Sequence, residues 1–221
     1  MAISRVPRSH QQAQATYDRI SGWYDLLEGD WERAPKKTAL HGLRIREGDR
    51  VLEIGCGTGE TLLQIAEATG SSGRVHGLDL SPRMLARASA RLARSNLFKQ
   101  VTFENADATL LPFRDGYFDA IFMSFVLELF DTPEIPTVLH ECRRVLRAGG
   151  RMGIVALSQA GGSNWMREVY ERGHAKFPNL LDCRPILVKA ALEEAGVHTL
   201  ESVLVSLWGL PVEIVRGVKL E

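Results

Sequence analysis

Residues Val51-Leu52-Glu53-Ile54 form a short apolar run that meets three glycines at alternate positions, Gly55, Gly57 and Gly59, and a helical stretch follows at once. A buried strand that turns straight into a helix opens a strand–helix–strand unit, the building block of a parallel sheet. Glycine lets the backbone turn tightly and lets a ligand approach main-chain N–H groups with no Cβ in the way. The helix, expected to begin near Thr58, adds unpaired N–H donors at its first turn. Such a loop is shaped to hold the polar end of a nucleotide-like ligand.

Spacing narrows the choice of ligand. A dinucleotide-binding loop needs G-x-G-x-x-G, its third glycine allowing close helix packing. Here Gly55-Cys56-Gly57-Thr58-Gly59 is G-x-G-x-G, and Glu60 stands where that third glycine belongs. Glu53 places a second carboxylate beside the loop. Acidic side chains would repel a pyrophosphate and suit a cationic ligand, although a charge in a buried strand is costly unless paired. Downstream, Arg74 to Asp79 reads as a second buried strand ending in an acid, 24 residues after Gly55, near the roughly 20-residue offset at which an acid meets a ribose. Ser81 and Pro82 open the next helix as cap and first-turn proline, and Met84, Leu85, Ala88 and Leu92 give it one apolar face. Asp79 as a plain strand-end cap is the competing reading.

The pattern Glu53-x-Gly55-x-Gly57-x-Gly59 resembles motif I of the class I S-adenosylmethionine-dependent methyltransferases. Further segments match that family in order. Val101 to Ala108 resembles its third strand and adenine-edge acid, and Leu111 to Ser124 its "LPF…FD" turn and fourth strand. Leu139 to Met152 resembles its "E-x-x-R-V-L-x-x-G-G" helix and turn before strand five. The resemblance spans residues 15 to 158 and looks most like the ubiquinone/menaquinone-biosynthesis branch. It implies a Rossmann-like α/β fold: a mostly parallel seven-stranded sheet flanked by helices, with one antiparallel terminal strand. It also implies S-adenosyl-L-methionine as cofactor, leaving as S-adenosyl-L-homocysteine. The implied cofactor-binding set is Tyr24, Glu53, Gly55, Cys56, Gly57, Gly59, Asp79, Leu80, Met84, Asp107, Ala108 and Ser124. Within it Asp79 would meet the ribose, Asp107 would accept from the exocyclic amine, and the Ala108 N–H would face a ring nitrogen. Tyr17 to Leu27 resembles the opening of the quinone-type enzymes, which folds over the cofactor and brings a tyrosine to its methionine end. That role is carried to Tyr24 and, with less weight, to Tyr17. The same residues, with Ile20 and Leu27, also share one face of an amphipathic helix.

The chain of 221 residues reads as a single domain, 1–221. Residues 10–43 form a helical cap over the cofactor site, two helices broken near Gly29-Asp30. Strands and helices alternate from 50 to about 158, with Gly149-Gly150 as the left-handed end of the helix before strand five. Residues 159–195 supply acceptor-side helices, Trp165 to Lys176 and Arg184 to Gly196. Val197 to Ser206 and Val212 to Lys219 then form a hairpin with Trp208-Gly-Leu-Pro211 as its turn. The ligand crevice belongs at the carboxyl ends of strands one and four, where the winding reverses.

Lys+Arg and Asp+Glu balance at 27 each, so no basic field gathers phosphate backbones, and a nucleic-acid substrate is not expected. Three cysteines without a CxxC fit a reducing, cytoplasmic setting. Cys56 reads as a small side chain filling a tight turn, a nucleophilic role being the alternative. No secretory leader is legible in the polar first residues, and no apolar tract reaches the roughly 20 residues of a bilayer span. Contact with a membrane would be transient, and only for a lipidic acceptor. No metal site is expected.

Methyl transfer from a sulfonium is an in-line displacement onto an electron-rich atom, so the protein mainly aligns the reactants and excludes water. A base is needed only when the acceptor carries a proton that must leave. No catalytic residue is assigned. His10, His41, His76, His140, His174 and His198 offer no clear base; His76 falls within a buried strand and His140 on the solvent side of its helix. Glu128 lies just past strand four, either at the crevice mouth or as a helix-surface carboxylate. Trp165, Met166, Val169, Tyr170 and Phe177 form either an apolar lid or ordinary helix packing. The chain lacks the Asn/Asp-Pro-Pro-Tyr signature of nucleobase and amide N-methylating relatives. The expected activity is methylation of a small, apolar acceptor such as a quinol or lipid amine. The alternatives are O- or N-methylation of a polar metabolite, cofactor binding by a sensor or partner subunit without turnover, and, most remotely, a nicotinamide oxidoreductase.

Overall fold

Leu52 and Ile54 are buried in one apolar cluster, whereas Val51, directly before them, belongs to another. Successive strand residues face opposite sides, so a strand buried from Val51 through Ile54 is covered on both faces. That strand is the centre of the molecule. The computed structural model describes residues 9–22, 32–161, 184–207 and 209–221. Tyr24, the break near Gly29-Asp30, the Trp165 to Lys176 segment with its apolar side chains, and His174 lie outside these residues.

The order of elements is α1 (His10–Ile20), α2 (Arg33–Leu43), β1 (Arg50–Ile54), α3 (Glu60–Thr69), β2 (Arg74–Asp79), α4 (Pro82–Leu92), β3 (Val101–Asn105), β4 (Phe118–Ser124), α5 (Ile135–Val145), β5 (Leu146–Leu157), α6 (Val188–Glu194), β6 (His198–Leu207) and β7 (Leu210–Val218). The strands form one sheet in the order β3-β2-β1-β4-β5-β7-β6. The first five are parallel, and β7 runs antiparallel to both β5 and β6. The Rossmann-like sheet with a reversed terminal strand is therefore as expected.

Both faces are covered. Leu52, Ile54, Ile121 and Ile154 pack with Val138, Leu139 and Cys142 of α5 and with Val188 and Leu192 of α6. Val51, Val75, Phe122 and Val155 pack with Leu43 of α2, Leu62 and Ile65 of α3, and Leu85, Ala88 and Leu92 of α4. The order of winding reverses between β1 and its parallel neighbour β4, so the loops that follow them lead to opposite sides of the sheet and leave a crevice at their carboxyl ends.

Four boundaries differ from the sequence reading. Helix α3 begins at Glu60, not near Thr58, because Gly59 holds a left-handed conformation (φ 80°) at its N-cap. Helix α5 ends at Val145. Leu146 is already extended and pairs with Phe118 of β4, so Gly149 (φ 70°) turns the chain inside β5 instead of capping a helix. Helix α6 starts at Val188, not at Arg184, because the preceding stretch is tied down elsewhere. Arg184 is buried, donating to the Thr132 Oγ1 (2.9 Å) and to the Phe130 carbonyl, and Ile186 bridges to Ser158. The terminal hairpin pairs Leu207 with Leu210, leaving two residues between the strands, and Pro211 lies within β7 opposite Ser206.

Candidate cofactor site

The cleft at the β1/β4 switch point is floored by the loop Gly55 to Thr58 and walled by the ends of β1, β2 and β4. It holds about 1040 Å³ of empty space, its open mouth included. Helix α1 contributes His10, Ala13 and Tyr17 to the opposite wall.

Each glycine of the loop has its own cause. A Cβ on Gly55 (φ 69°) would stand 2.2 Å from a Val126 methyl, so the loop after β4 presses against bare backbone there. Gly57 turns its N–H onto the Asp79 Oδ2 at 2.9 Å. Gly59 does not line the cleft; its missing Cβ lets Ala88 of α4 approach, at 2.9 Å from where that atom would be.

Asp79 ends β2, and its other oxygen, Oδ1, accepts the Ser81 N–H at 2.8 Å. The carboxylate thus clamps the glycine loop to the start of α4. Burial pushes its pKa up from 3.8, against the N–H groups of Ser81, Gly57 and Leu80 that pull it down, and Asp18 adds to the rise. The Asn105 amide donates to the Asp79 and Leu80 carbonyls at 3.0 and 2.9 Å, fixing the strand end behind it. Glu53, 3% exposed, closes the base of the cleft. Asp107 stands across from Asp79 in the loop after β3; its Oδ1 accepts from the Thr109 N–H and hydroxyl, both at 2.8 Å. Ala108 is buried beside it, Met84 is buried in the first turn of α4, and Leu80 lines the wall between. Ser124 ends β4, and its buried hydroxyl has no partner among the described residues.

The structure therefore brings Glu53, Gly55, Cys56, Gly57, Asp79, Leu80, Met84, Asp107, Ala108 and Ser124 to one cleft, with Tyr17 opposite. Cys56 is buried, and burial pushes its thiol well above the usual range, which suits packing and not nucleophilic attack. Glu128 is fully buried and accepts the Leu157 N–H at 3.1 Å, so it braces the end of β5 and is neither at the cleft mouth nor on a helix surface. His76 is ringed by Phe113, Tyr117 and Phe118, and burial lowers its pKa from 6.5.

Of the lining residues that escaped the sequence reading, two stand out. Phe125, directly after β4, is a non-glycine residue at φ 55°, a strained conformation of the kind found at functional sites. His10 sets Nδ1 against the Asp107 Oδ2 and Nε2 at 2.8 Å from Glu134. Its position was announced by Ser9-x-x-Gln12, a capping box that places His10 in the first turn of a helix.

The charges of the cleft fit a cationic nucleoside. Glu53, Glu60, Asp79 and Asp107 line it, against Lys36 and His10, and Lys36 is already paired with Glu32 at 2.8 Å. A bare Gly55 backbone, an unpartnered Ser124 hydroxyl and carboxylates at both ends supply acceptors and close approach, not the cations a diphosphate needs. No group of three or more His, Cys, Asp or Glu among the described residues could hold a metal ion, and no described helix is long and apolar enough to cross a membrane.

Residues 51–150, which supply the glycine loop and the acids of this cleft, match a family described as "Methyltransferase domain". A demethylmenaquinone methyltransferase of Lactobacillus johnsonii is 33% identical over 147 residues, 65% of this chain and 59% of the relative. A 2-phytyl-1,4-naphtoquinone methyltransferase of Synechococcus elongatus is 34% identical over 146 residues, 64% of this chain and 62% of the relative. The chain thus matches about three fifths of the length of these two proteins. Among solved structures, the cyclase SpnF superposes with a TM-score of 0.76 at 20% identity, covering 98% of this chain and 99% of that one, a likeness of fold alone. The glycine loop with its acids, the sheet order and these matches together place the chain in the class I S-adenosylmethionine-dependent methyltransferase family.

Proposed function

We propose that the chain binds S-adenosyl-L-methionine in the β1/β4 cleft and transfers its methyl group to a small, apolar acceptor, a quinol ring or a lipid amine. The observation that carries this is the acidic glycine cradle: Gly55 and Gly57 offer bare backbone, and Glu53, Asp79 and Asp107 surround it with carboxylates. When bound, the sulfonium supplies an activated methyl whose S–C bond breaks with the electron pair remaining on sulfur. The chain's own residues orient the two partners. Asp79 faces the ribose, Asp107 and the Ala108 N–H take the adenine edge, and Glu53 lies at the methionine end. The domain reads as one unit, with α1 and α2 as a cap on the cofactor side.

An apolar acceptor is supported by Phe125, Val126, Leu129 and Phe130, which make the wall beyond β4 apolar, and by the demethylmenaquinone and 2-phytyl-1,4-naphtoquinone activities named for the two relatives. Such a wall excludes water from the transfer. No histidine other than His10 lines the cleft among the described residues, which suits acceptors whose nucleophilic atom needs no strong base. Because a cyclase shares the fold, binding and turnover are tested separately. Calorimetric titration is expected to show binding of S-adenosylhomocysteine and none of NADH; the reverse pattern overturns the cofactor. Incubation with methyl-labelled cofactor and a panel of quinols, lipids and amines is expected to label the apolar compounds. Binding without any labelled product would favour a sensor or partner subunit.

A further inference from the structure

The N-terminal helix α1 covers one side of the cleft yet buries no residue of its own. An 11-residue helix without a buried apolar face is marginal by itself, so its closure depends on polar ties at its two ends. At its far end Asp18 accepts from the Ser81 hydroxyl at 2.5 Å, above α4. At its near end the tie is His10.

We propose that His10 is a charged latch that closes α1 over the nucleoside end of the cleft by bridging Asp107 and Glu134. Both ring nitrogens approach carboxylate oxygens: Nδ1 is hydrogen-bonded to that of Asp107, and Nε2 stands 2.8 Å from that of Glu134 as an ion-pair contact without hydrogen-bond alignment. Only the doubly protonated ring carries a proton on each nitrogen; a neutral ring would turn a lone pair toward one carboxylate. The two receivers are fixed in advance. Thr109 holds the other oxygen of Asp107, and the Asp131 N–H, at 3.1 Å, holds the other oxygen of Glu134.

The charged groups facing the ring are Asp107 from the loop after β3 and Glu134 at the start of α5, with Asp131 three residues before it. Asp18 and Arg19 of α1 itself sit at its far end, and the remaining neighbour is the edge of the Phe130 ring, 6.4 Å between centroids. Burial draws the His10 pKa down, but the two carboxylates outweigh it and the net shift is upward from 6.5. The latch is therefore fully closed below the ordinary histidine pKa and lost as pH rises through the raised one. A carboxylate oxygen has two lone pairs, so Asp107 Oδ2 can hold His10 and still accept from an exocyclic amine. The latch thus couples lid closure to grip on the cofactor.

This rests on the cleft being the cofactor site, and the test separates the two ideas. In the ligand-free full chain, His10 is titrated by NMR and the protection of α1 amides is followed by hydrogen exchange across pH. S-adenosylhomocysteine affinity is measured in parallel. His10 is expected to titrate above 6.5, with α1 protection and affinity both about fivefold higher below that transition than above it, as two half-exposed ion pairs would give. In His10→Gln both stay at the weaker level with no step across that transition while α4 protection is unchanged, and Glu134→Gln moves the His10 titration back toward 6.5. A His10 titrating at or below 6.5, or a His10→Gln chain that keeps the full pH dependence of α1, overturns the latch. If the titration and protection behave as expected while S-adenosylhomocysteine binds at no pH, the latch stands and the cofactor reading falls.

Discussion

Gly55 and Asp79 show how single residues set the cradle, and each yields a measurable consequence. A Cβ at Gly55 meets Val126 at 2.2 Å, and φ of 69° is itself unfavourable for an L side chain. Gly55→Ala should therefore cost roughly 2–4 kcal/mol from backbone strain plus overpacking. At about 2–4 °C per kcal/mol for a chain of this length, calorimetry should show Tm falling by roughly 5–15 °C. Adding Val126→Ala should restore the part due to collision and leave the part due to φ; no recovery would mean the loop does not press there. Asp79→Ala removes the acceptor of the Gly57 and Ser81 N–H groups and the expected ribose partner. The loss of a charged acceptor, about 1.5–3 kcal/mol, should weaken S-adenosylhomocysteine roughly 10- to 150-fold in titration calorimetry. Unchanged affinity would leave Asp79 as a loop clamp only. The acids and glycines of this cradle were legible in the sequence because they sit within one strand–loop–helix unit and its successor. The separate duties of Gly55 and Gly59 were not, since each depends on a side chain distant in the chain, Val126 and Ala88.

Among the elements, the β5-β7-β6 end of the sheet depends on one buried carboxylate. Glu213 of β7, 4% exposed, accepts the Val188 N–H that opens α6 (3.1 Å) and the hydroxyls of Ser202 in β6 (2.9 Å) and Ser158 after β5 (3.3 Å). It is the cap of a helix whose N-cap residue, Leu187, makes no side-chain hydrogen bond. Glu213→Ala leaves buried donors unsatisfied and should destabilise by roughly 3–5 kcal/mol, read as a lower urea midpoint. An unshifted midpoint would mean that water replaces the carboxylate. The parallel strands were readable because burial on both faces leaves mainly apolar runs, such as Ala120 to Met123 of β4. The start of α6 was not: apolar periodicity continues back through Pro185 and Ile186, but the buried Arg184 and the Ser158 bridge hold that stretch extended. The position of α1 was half legible, since its capping box marks where it starts, whereas its contact with Asp107 joins residues 97 apart.

Across the whole molecule, acid should separate cofactor binding from folding. Burial raises the Asp79 pKa above 3.8, so this carboxylate gains its proton before an ordinary aspartate would as pH falls. A group whose folded pKa is raised holds its proton more tightly in the native chain. Protonating Asp79 therefore relieves the burden of burying its charge instead of unfolding the protein. Acid unfolding comes from groups shifted the other way. Asp119 is held below 3.8 by the Arg50 N–H and Arg147 despite its burial, and Glu141 below 4.5 chiefly by Arg144. Their contributions are present above the ordinary carboxylate pKa and are lost as pH drops through the depressed values. In the ribose role proposed for Asp79 the ionised carboxylate is the acceptor, so affinity for S-adenosylhomocysteine should decline on acidification while far-ultraviolet circular dichroism still reports a folded chain. Asp79→Asn cannot ionise and should show weak binding without that acid limb, whereas His10→Gln should keep the acid limb and lose the alkaline one. Affinity and folding failing together at one pH in the wild type would show that Asp79 does not govern the cleft.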